Sequence, residues 1–268
     1  MFAKLLKYEF RSVSKPLTFL SIAAVAAGLI GSLLMWYFLS NIDIEGKELP
    51  SILAILMLVG IYISLLAYSV ASMIIIYYRF YKSKFTDEGY LTFTLPVSTH
   101  QILLASMLNQ LIWSAIISVV LFICFGLILA PPVSMVAKEI GGHMDWGIFF
   151  QELDGLFPVG SFVITAICGE VYSLVLPLLS ITIGSLVAKK HKILASFGIG
   201  YGITMAVSTL TSFISIADMI RQTLTNDNIY YEPTISMSSM LIPSMIMLVI
   251  GVGGYFLMHY LIERKLNI

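Results

Sequence analysis

The sequence predicts an all-α integral membrane protein with six transmembrane helices and both termini in the cytoplasm. Of its 268 residues, 59% are hydrophobic and only 11% are charged, and the mean hydropathy is +0.95. Apolar runs of more than about 18 residues recur, which is the length a helix needs to cross roughly 30 Å of hydrocarbon. Every backbone polar group in lipid must be paired within its own element, and period-two alternation is absent from these runs. They are therefore predicted to be helices rather than barrel strands.

Six apolar runs divide the chain into spans and loops, and together they form a single transmembrane domain of residues 1–268. None of the loops between them is long enough to fold as a separate domain. The predicted spans are residues 16–40, 50–78, 102–130, 159–187, 193–217 and 240–262.

The basic residues fix the predicted orientation. If the N-terminus is cytoplasmic, twelve of the fifteen Lys and Arg residues lie on that side of the membrane, and only Lys47, Lys138 and Arg221 lie outside. Because Lys and Arg concentrate in cytoplasmic loops, this asymmetry places both termini in the cytoplasm and favours an even number of spans. The formal net charge of zero hides the asymmetry, since most acidic residues fall in the external loops.

Residues 1–15 are predicted to form an amphipathic helix in the membrane interface. On a helical wheel Lys4, Lys7 and Arg11 cluster on one side, opposite an apolar face, and can meet lipid phosphates or water. Glu9 projects from the middle of that apolar face. It either reaches out to water from an ordinary frayed helix, or meets a cation on a neighbouring cytoplasmic element or a partner protein.

The cytoplasmic segment between the second and third spans, residues 79–101, has more apolar residues than a plain loop needs. Exposed to water they would favour aggregation unless something covers them. Thr86 can cap a short helix that has Asp87 and Glu88 in its first turn, Gly89 allows a close approach, and Pro96 stops the element. The apolar residues are Tyr90, Leu91, Phe93 and Leu95.

Two readings account for the covering of this apolar face. It docks into a groove on a partner protein, or it packs against the interfacial helix of its own chain. The sequence STHQ at residues 98–101 fits a capping box, with Ser98 as the N-cap, that opens the third span.

Glu170 is the one ionisable residue well inside a predicted span, roughly midway along the fourth run. A carboxyl group at that depth is costly in lipid, so it should face a cavity or a neighbouring helix. It has either a structural role, bonding a tyrosine or a backbone carbonyl while protonated, or a role in a transport path or its gating. Pro177 could kink the same helix.

Catalytic and metal-binding patterns are missing from the sequence, so we expect no enzyme activity in this chain. The four histidines are scattered without an HExxH pattern, and no serine has a GxSxG context. Cys124 and Cys168 both lie in apolar runs and are expected to be small core residues rather than a disulfide or metal ligands. We also predict that Gly198 and Gly202, at GxxxG spacing, support tight helix packing.

The layout resembles the type-2 ABC exporter permeases of bacteria. The resemblance rests on YRFYKSKFTDEGYLTFTLPVSTHQ between spans two and three, the amphipathic KLLKYEFR start and the YLIERKLNI end, with DEGYLTFTLPVS as the specific signal. It implies a permease in the bacterial plasma membrane that pairs with a second permease chain, alike or different, and with two cytoplasmic ATPase subunits. No cofactor is expected on this chain, and ATP and Mg²⁺ are expected on the ATPase. No nucleic acid is expected as a partner.

The resemblance also implies roles for residues. In that family the N-terminal helix lies along the membrane surface, and the loop after the second span forms a coupling helix that transmits closure of the ATPase. Carried over to this chain, the coupling element would comprise Thr86, Asp87, Glu88, Gly89, Tyr90, Leu91 and Leu95. A hydrophobic or amphipathic cargo, such as a peptide, lipid or drug, is expected because the spans contain few charges. The alternatives are a non-ABC channel or secondary transporter, or a non-transporting immunity or sensor protein.

Overall fold

A computed structural model describes residues 2–41, 48–86, 88–89, 92, 94, 96–139, 159–188, 190–225 and 237–265. Six long α-helices and no strand are found in these ranges. The helices are α1 Phe2–Asn41, α2 Glu48–Phe85, α3 Thr99–Glu139, α4 Val159–Val187, α5 Lys192–Thr225 and α6 Met237–Lys265.

All six helices in the described ranges are long and apolar enough to cross a membrane. The prediction of an all-α protein with six helices of membrane-spanning length and composition is therefore confirmed. The fourth predicted span has the same bounds as α4, whereas the other helices run past the predicted ends by one to fourteen residues. Hydropathy marks where a chain crosses lipid, and the helical hydrogen bonds continue until a cap or turn replaces them. The segment between α2 and α3 is consequently shorter than the predicted 79–101.

Helix α1 is one continuous helix of 40 residues with Pro16 inside it. At 1.5 Å per residue it is about 60 Å long, roughly twice the thickness of the hydrocarbon core. The predicted interfacial segment therefore forms the first four turns of α1 rather than a separate helix. Its position at the membrane surface stays a prediction.

The chain divides into two compact units, and the boundaries between them fall inside α2 and α3. Unit 1 comprises Met1–Lys82 and Leu104–Met144. Its core contains residues from α1, α2 and α3, among them Leu17, Tyr68 and Ile117. The helices approach closely where a Cβ on Gly28 would lie 3.5 Å from the Cα of Cys124. Unit 1 is thus a packed bundle of the first three helices.

Unit 2 comprises Ser83–Leu103 and Asp145–Ile268. Helices α4, α5 and α6 all pack against one another, and α4 is the centre because its contacts with α5 and with α6 are the most extensive. Residues 174–182 of α4 are buried, apart from the half-buried Pro177. The buried hydroxyls of Ser180 and Thr182 donate to backbone carbonyls one turn earlier, at 2.7 and 2.8 Å, so no polar group is stranded there. The short segment before α3 therefore belongs with the last three helices.

Glycines allow the closest helix contacts in unit 2, but not those of the GxxxG pair. A Cβ on Gly254 would lie 3.1 Å from Val175 and 3.2 Å from Leu179, and one on Gly251 would lie 3.3 Å from the backbone of Tyr172. A Cβ on Gly198 or Gly202 would meet nothing within 4 Å. The predicted tight packing at Gly198 and Gly202 is therefore wrong within this chain, because other glycines make the close crossings.

Candidate functional site

The segment between α2 and α3 folds back on the end of α2. The backbone N–H of Gly89 donates to the carbonyl of Thr86 at 2.7 Å, and Glu88, Gly89 and Thr92 have helical backbone. The hydroxyl of Thr92 lies 3.0 Å from the carbonyl of Ser83 and 3.1 Å from that of Glu88. These bonds tie the turn to the chain that enters it, so the segment is a compact structure.

Gly89 lies against the backbone of Lys84. A Cβ added at Gly89 would collide with the carbonyl oxygen of Lys84 and would lie 2.8 Å from its carbonyl carbon. Both residues are buried, and Lys84 is only 2% exposed. The prediction that Gly89 allows a close approach is confirmed, and the approach is to the backbone of α2.

Ser98 caps α3. The helix begins at Thr99, and the backbone N–H of Gln101 lies 3.4 Å from the Ser98 hydroxyl oxygen and donates to the Ser98 carbonyl at 2.9 Å. The predicted N-cap is confirmed. It fixes the direction in which the chain leaves the segment.

The predicted coupling residues are only partly within the described residues. Thr86 is exposed, Glu88 is half-buried and Gly89 is buried. Asp87, Tyr90, Leu91 and Leu95 lie outside the described residues, and so does Phe93. In the described part of the segment, Thr86 is therefore accessible at the surface, whereas Gly89 is buried against α2.

The basic residues of the first turns of α1 are exposed. Lys4, Lys7 and Arg11 all face away from unit 1, whereas Glu9 is half-buried. The hydroxyl of Ser106 on α3 donates to a carboxylate oxygen of Glu9 at 2.9 Å. Glu9 thus has a hydroxyl donor within unit 1, and the two sequence predictions for it, contact with water or with a cation, both stay predictions. A buried serine was not foreseen because the pattern of α1 alone holds no information about α3.

A polar face on α3 was missed by the sequence reasoning. Ser106, Asn109, Gln110 and Trp113 are all buried, and their spacing puts them on one side of the helix. Phe10 of α1 stacks on Trp113 with ring centroids 5.0 Å apart. The spacing of three, four and seven residues was the signal that could have revealed this face. Ser106 and Trp113 contact α1, whereas the Gln110 amide donates to the Tyr77 hydroxyl of α2 at 3.5 Å, so the first half of α3 is a polar packing surface for both helices.

Glu170 is half-buried on α4, in the first half of the helix. Its backbone carbonyl accepts a hydrogen bond from the Ser173 hydroxyl at 2.9 Å. Helix α4 continues through Pro177 without interruption. The structure thus places Glu170 in the helix at the centre of unit 2. Its structural role and its role in a transport path both stay predictions.

Two histidines that looked scattered in the sequence meet in unit 2. His100 at the start of α3 and His259 near the end of α6 stack with ring centroids 3.7 Å apart and planes inclined by 16°. The Nδ1 atom of His100 lies 2.9 Å from the hydroxyl of Tyr255, and the Nδ1 atom of His259 lies 3.6 Å from a carboxylate oxygen of Glu263. Sequence gave no signal for this cluster, since His100 is more than 150 residues from the other three members.

Among the described residues, no set of three or more His, Cys, Asp or Glu side chains is arranged so that it could hold a metal ion. The expectation for the two cysteines is confirmed, because Cys124 and Cys168 are both free and buried. No family model, curated protein or solved structure matches the chain. The fold and the described residues define a multi-pass membrane protein of six helices.

Proposed function

We propose that the chain is the permease subunit of an ATP-driven exporter in the bacterial plasma membrane, with ATP hydrolysed on a separate cytoplasmic subunit. The observation that carries the proposal is the compact segment between α2 and α3. Its turn is held by hydrogen bonds from the Thr92 hydroxyl, and Thr86 is exposed. The segment belongs to the same unit as α4, α5 and α6. A displacement of this segment by a partner protein would therefore act on α4, α5 and α6 together.

The proposed topology puts this segment in the cytoplasm. Both termini lie on that side, as the distribution of Lys and Arg favours. Residues 83–103, the part of this region that belongs to unit 2, are the proposed coupling segment. Its contact with the ATPase is proposed to include Asp87, Tyr90 and Leu91, because aromatic and large apolar side chains dominate the energetics of docked interfaces.

The proposed mechanism is alternating access driven in trans. Closure of the ATP-bound ATPase dimer moves two coupling segments, one in each of two permease chains, and opens a path towards the outside. The described spans carry few charged side chains, which favours a hydrophobic or amphipathic cargo over small ions. Glu170 is the proposed polar point on that path.

The test is association with an ATPase that carries the GxxxxGK[ST] phosphate-binding motif and is encoded beside this chain. The tagged full-length chain is expressed with that ATPase and purified from membranes. We expect co-purification, and we expect Tyr90→Ala and Leu91→Ala each to weaken association about tenfold or more, as for residues at the centre of an interface.

The matched control is Tyr201→Ala on α5, where the tyrosine side chain is 65% exposed on a predicted membrane span. It should leave association unchanged. The proposal is wrong if the wild-type chain does not bind the ATPase, or if both coupling variants bind it and couple ATP hydrolysis to transport as well as the control does.

A further inference from the structure

The contact of His100 with α6 shows where a movement of the coupling segment can go. His100 is the second residue of α3, at the end of the coupling segment. Its ring is held by two residues of α6, stacking on His259 and lying 2.9 Å from the Tyr255 hydroxyl through Nδ1. Tyr255 and His259 are four residues apart and so lie on one face of α6. The His100 side chain thus contacts one face of α6 at two residues.

The surroundings of this contact are firmly packed. Ile102 and Leu103, the next turn of α3, are 2% and 1% exposed, and Met258 and Ile262 on α6 are also buried. In the first part of the coupling segment, the Thr92 hydroxyl donates to the carbonyl of Ser83, and Gly89 lies against the backbone of Lys84 in the last turn of α2. His100 itself is exposed, and its side chain makes a polar contact with α6 beside these buried residues.

We propose that His100 is a positioning residue that locks the coupling segment to α6 through Tyr255 and His259, so that the segment and α6 move together. Tyr255 and His259 are its anchors. The consequence for transport rests on the proposed function: input from the ATPase reaches α6 through this link. The link itself is a property of the chain alone and can be tested without any partner.

The first experiment measures a distance in the full chain in nanodiscs. Spin labels are attached at Thr86→Cys and Arg264→Cys, both at exposed positions, after both native cysteines are replaced by alanine. Double electron–electron resonance should give one narrow distribution of the distance between the two labels. We expect His100→Ala to widen it at least twofold.

Milder variants separate the ring stacking of His100 on His259 from its hydrogen bond with Tyr255. His100→Phe keeps a ring for stacking and removes Nδ1, and Tyr255→Phe removes one hydroxyl group. Each should widen the distribution less than His100→Ala does. Because Tyr255→Phe changes a single atom, it keeps the test valid even if His100→Ala fails to fold.

Two matched controls are available. His191→Ala replaces an exposed histidine between α4 and α5, and Tyr201→Phe removes a hydroxyl from a tyrosine of α5 that is 65% exposed. Both should keep the narrow distribution. The inference is overturned if His100→Ala and Tyr255→Phe give the same width as these controls, or if the controls widen it equally.

The second experiment uses the complex with the ATPase. His100→Ala and Tyr255→Phe should keep ATPase binding but lower the amount of cargo moved per ATP hydrolysed at least threefold. A purely structural role would lower the yield of complex without changing that ratio. If the ATPase binds and the ratio is unchanged, the inference fails while the proposed function stands. If the wild-type chain binds no ATPase, the proposed function fails and the distance measurement alone decides the inference.

Discussion

The substitution Gly89→Ala tests whether the coupling segment depends on its close approach to α2. The added methyl group would collide with the carbonyl oxygen of Lys84 and lie 2.8 Å from its carbonyl carbon. Ordinary contacts between such atoms are 3.4–4 Å, so the backbone of the segment must move. A flexible side chain could swing aside, but the carbonyl group belongs to the last turn of a helix.

The expected cost follows from two opposing effects. Overpacking a buried site costs about 1–3 kcal/mol, and Gly89 has helical backbone, where alanine gains about 0.5–1 kcal/mol over glycine. The difference between these ranges is about 0–2.5 kcal/mol, and because the clash is with backbone atoms we expect a local destabilisation of roughly 1–2 kcal/mol. That corresponds to a five- to thirtyfold increase in the population of the opened segment.

Hydrogen exchange measured by mass spectrometry on the full chain in nanodiscs reports this opening directly. Peptides within residues 83–103 should exchange about five- to thirtyfold faster in Gly89→Ala than in the wild type. The control is Gly202→Ala, because a Cβ there meets nothing within 4 Å. Unchanged or slower exchange in the coupling segment of Gly89→Ala would refute the argument that the segment is tied to α2 at this point.

Two further predictions concern α4. Glu170→Gln keeps the shape of the side chain and removes its charge, so we expect altered transport with unchanged expression; transport equal to wild type would exclude a role in the path. Gly184→Ala should destabilise the chain by about 1–3 kcal/mol, because its Cβ would lie 2.6 Å from the backbone of Ser196. Gly169→Ala on the same helix meets nothing within 4 Å and should be neutral or slightly stabilising; a titration with denaturing detergent compares the two, and equal midpoints would contradict the prediction.

The features that sequence predicted are those governed by local chemistry. The six spans follow from continuous apolar runs, and the cap at Ser98 follows from a hydroxyl residue placed directly before a helical pattern. Gly89 could be assigned a close approach because glycine between polar residues and an apolar face has few other uses. Helix ends beyond the apolar runs were not predicted, since a helix continues through polar residues where no cap stops it.

The features that sequence missed depend on which helix faces meet. Nothing near His100 indicates that its ring stacks on His259, and nothing near Glu9 indicates that Ser106 donates to it. Both contacts join helices that are far apart in the chain. They are decided by helix rotation and crossing, which arise from packing of whole faces. A residue pattern within one helix contains only half of that information.

The division of the chain into units gives the coupling segment its mechanical meaning. Helix α3 changes unit between Leu103 and Leu104, and α2 changes unit between Lys82 and Ser83. A segment that packed only on the helices it connects would move those helices first. Here His100, the second residue of α3, also contacts α6. Under the proposed function, input at this segment should therefore act first on the unit of α4, α5 and α6, and loosening His100 should separate ATP hydrolysis from transport without releasing the ATPase.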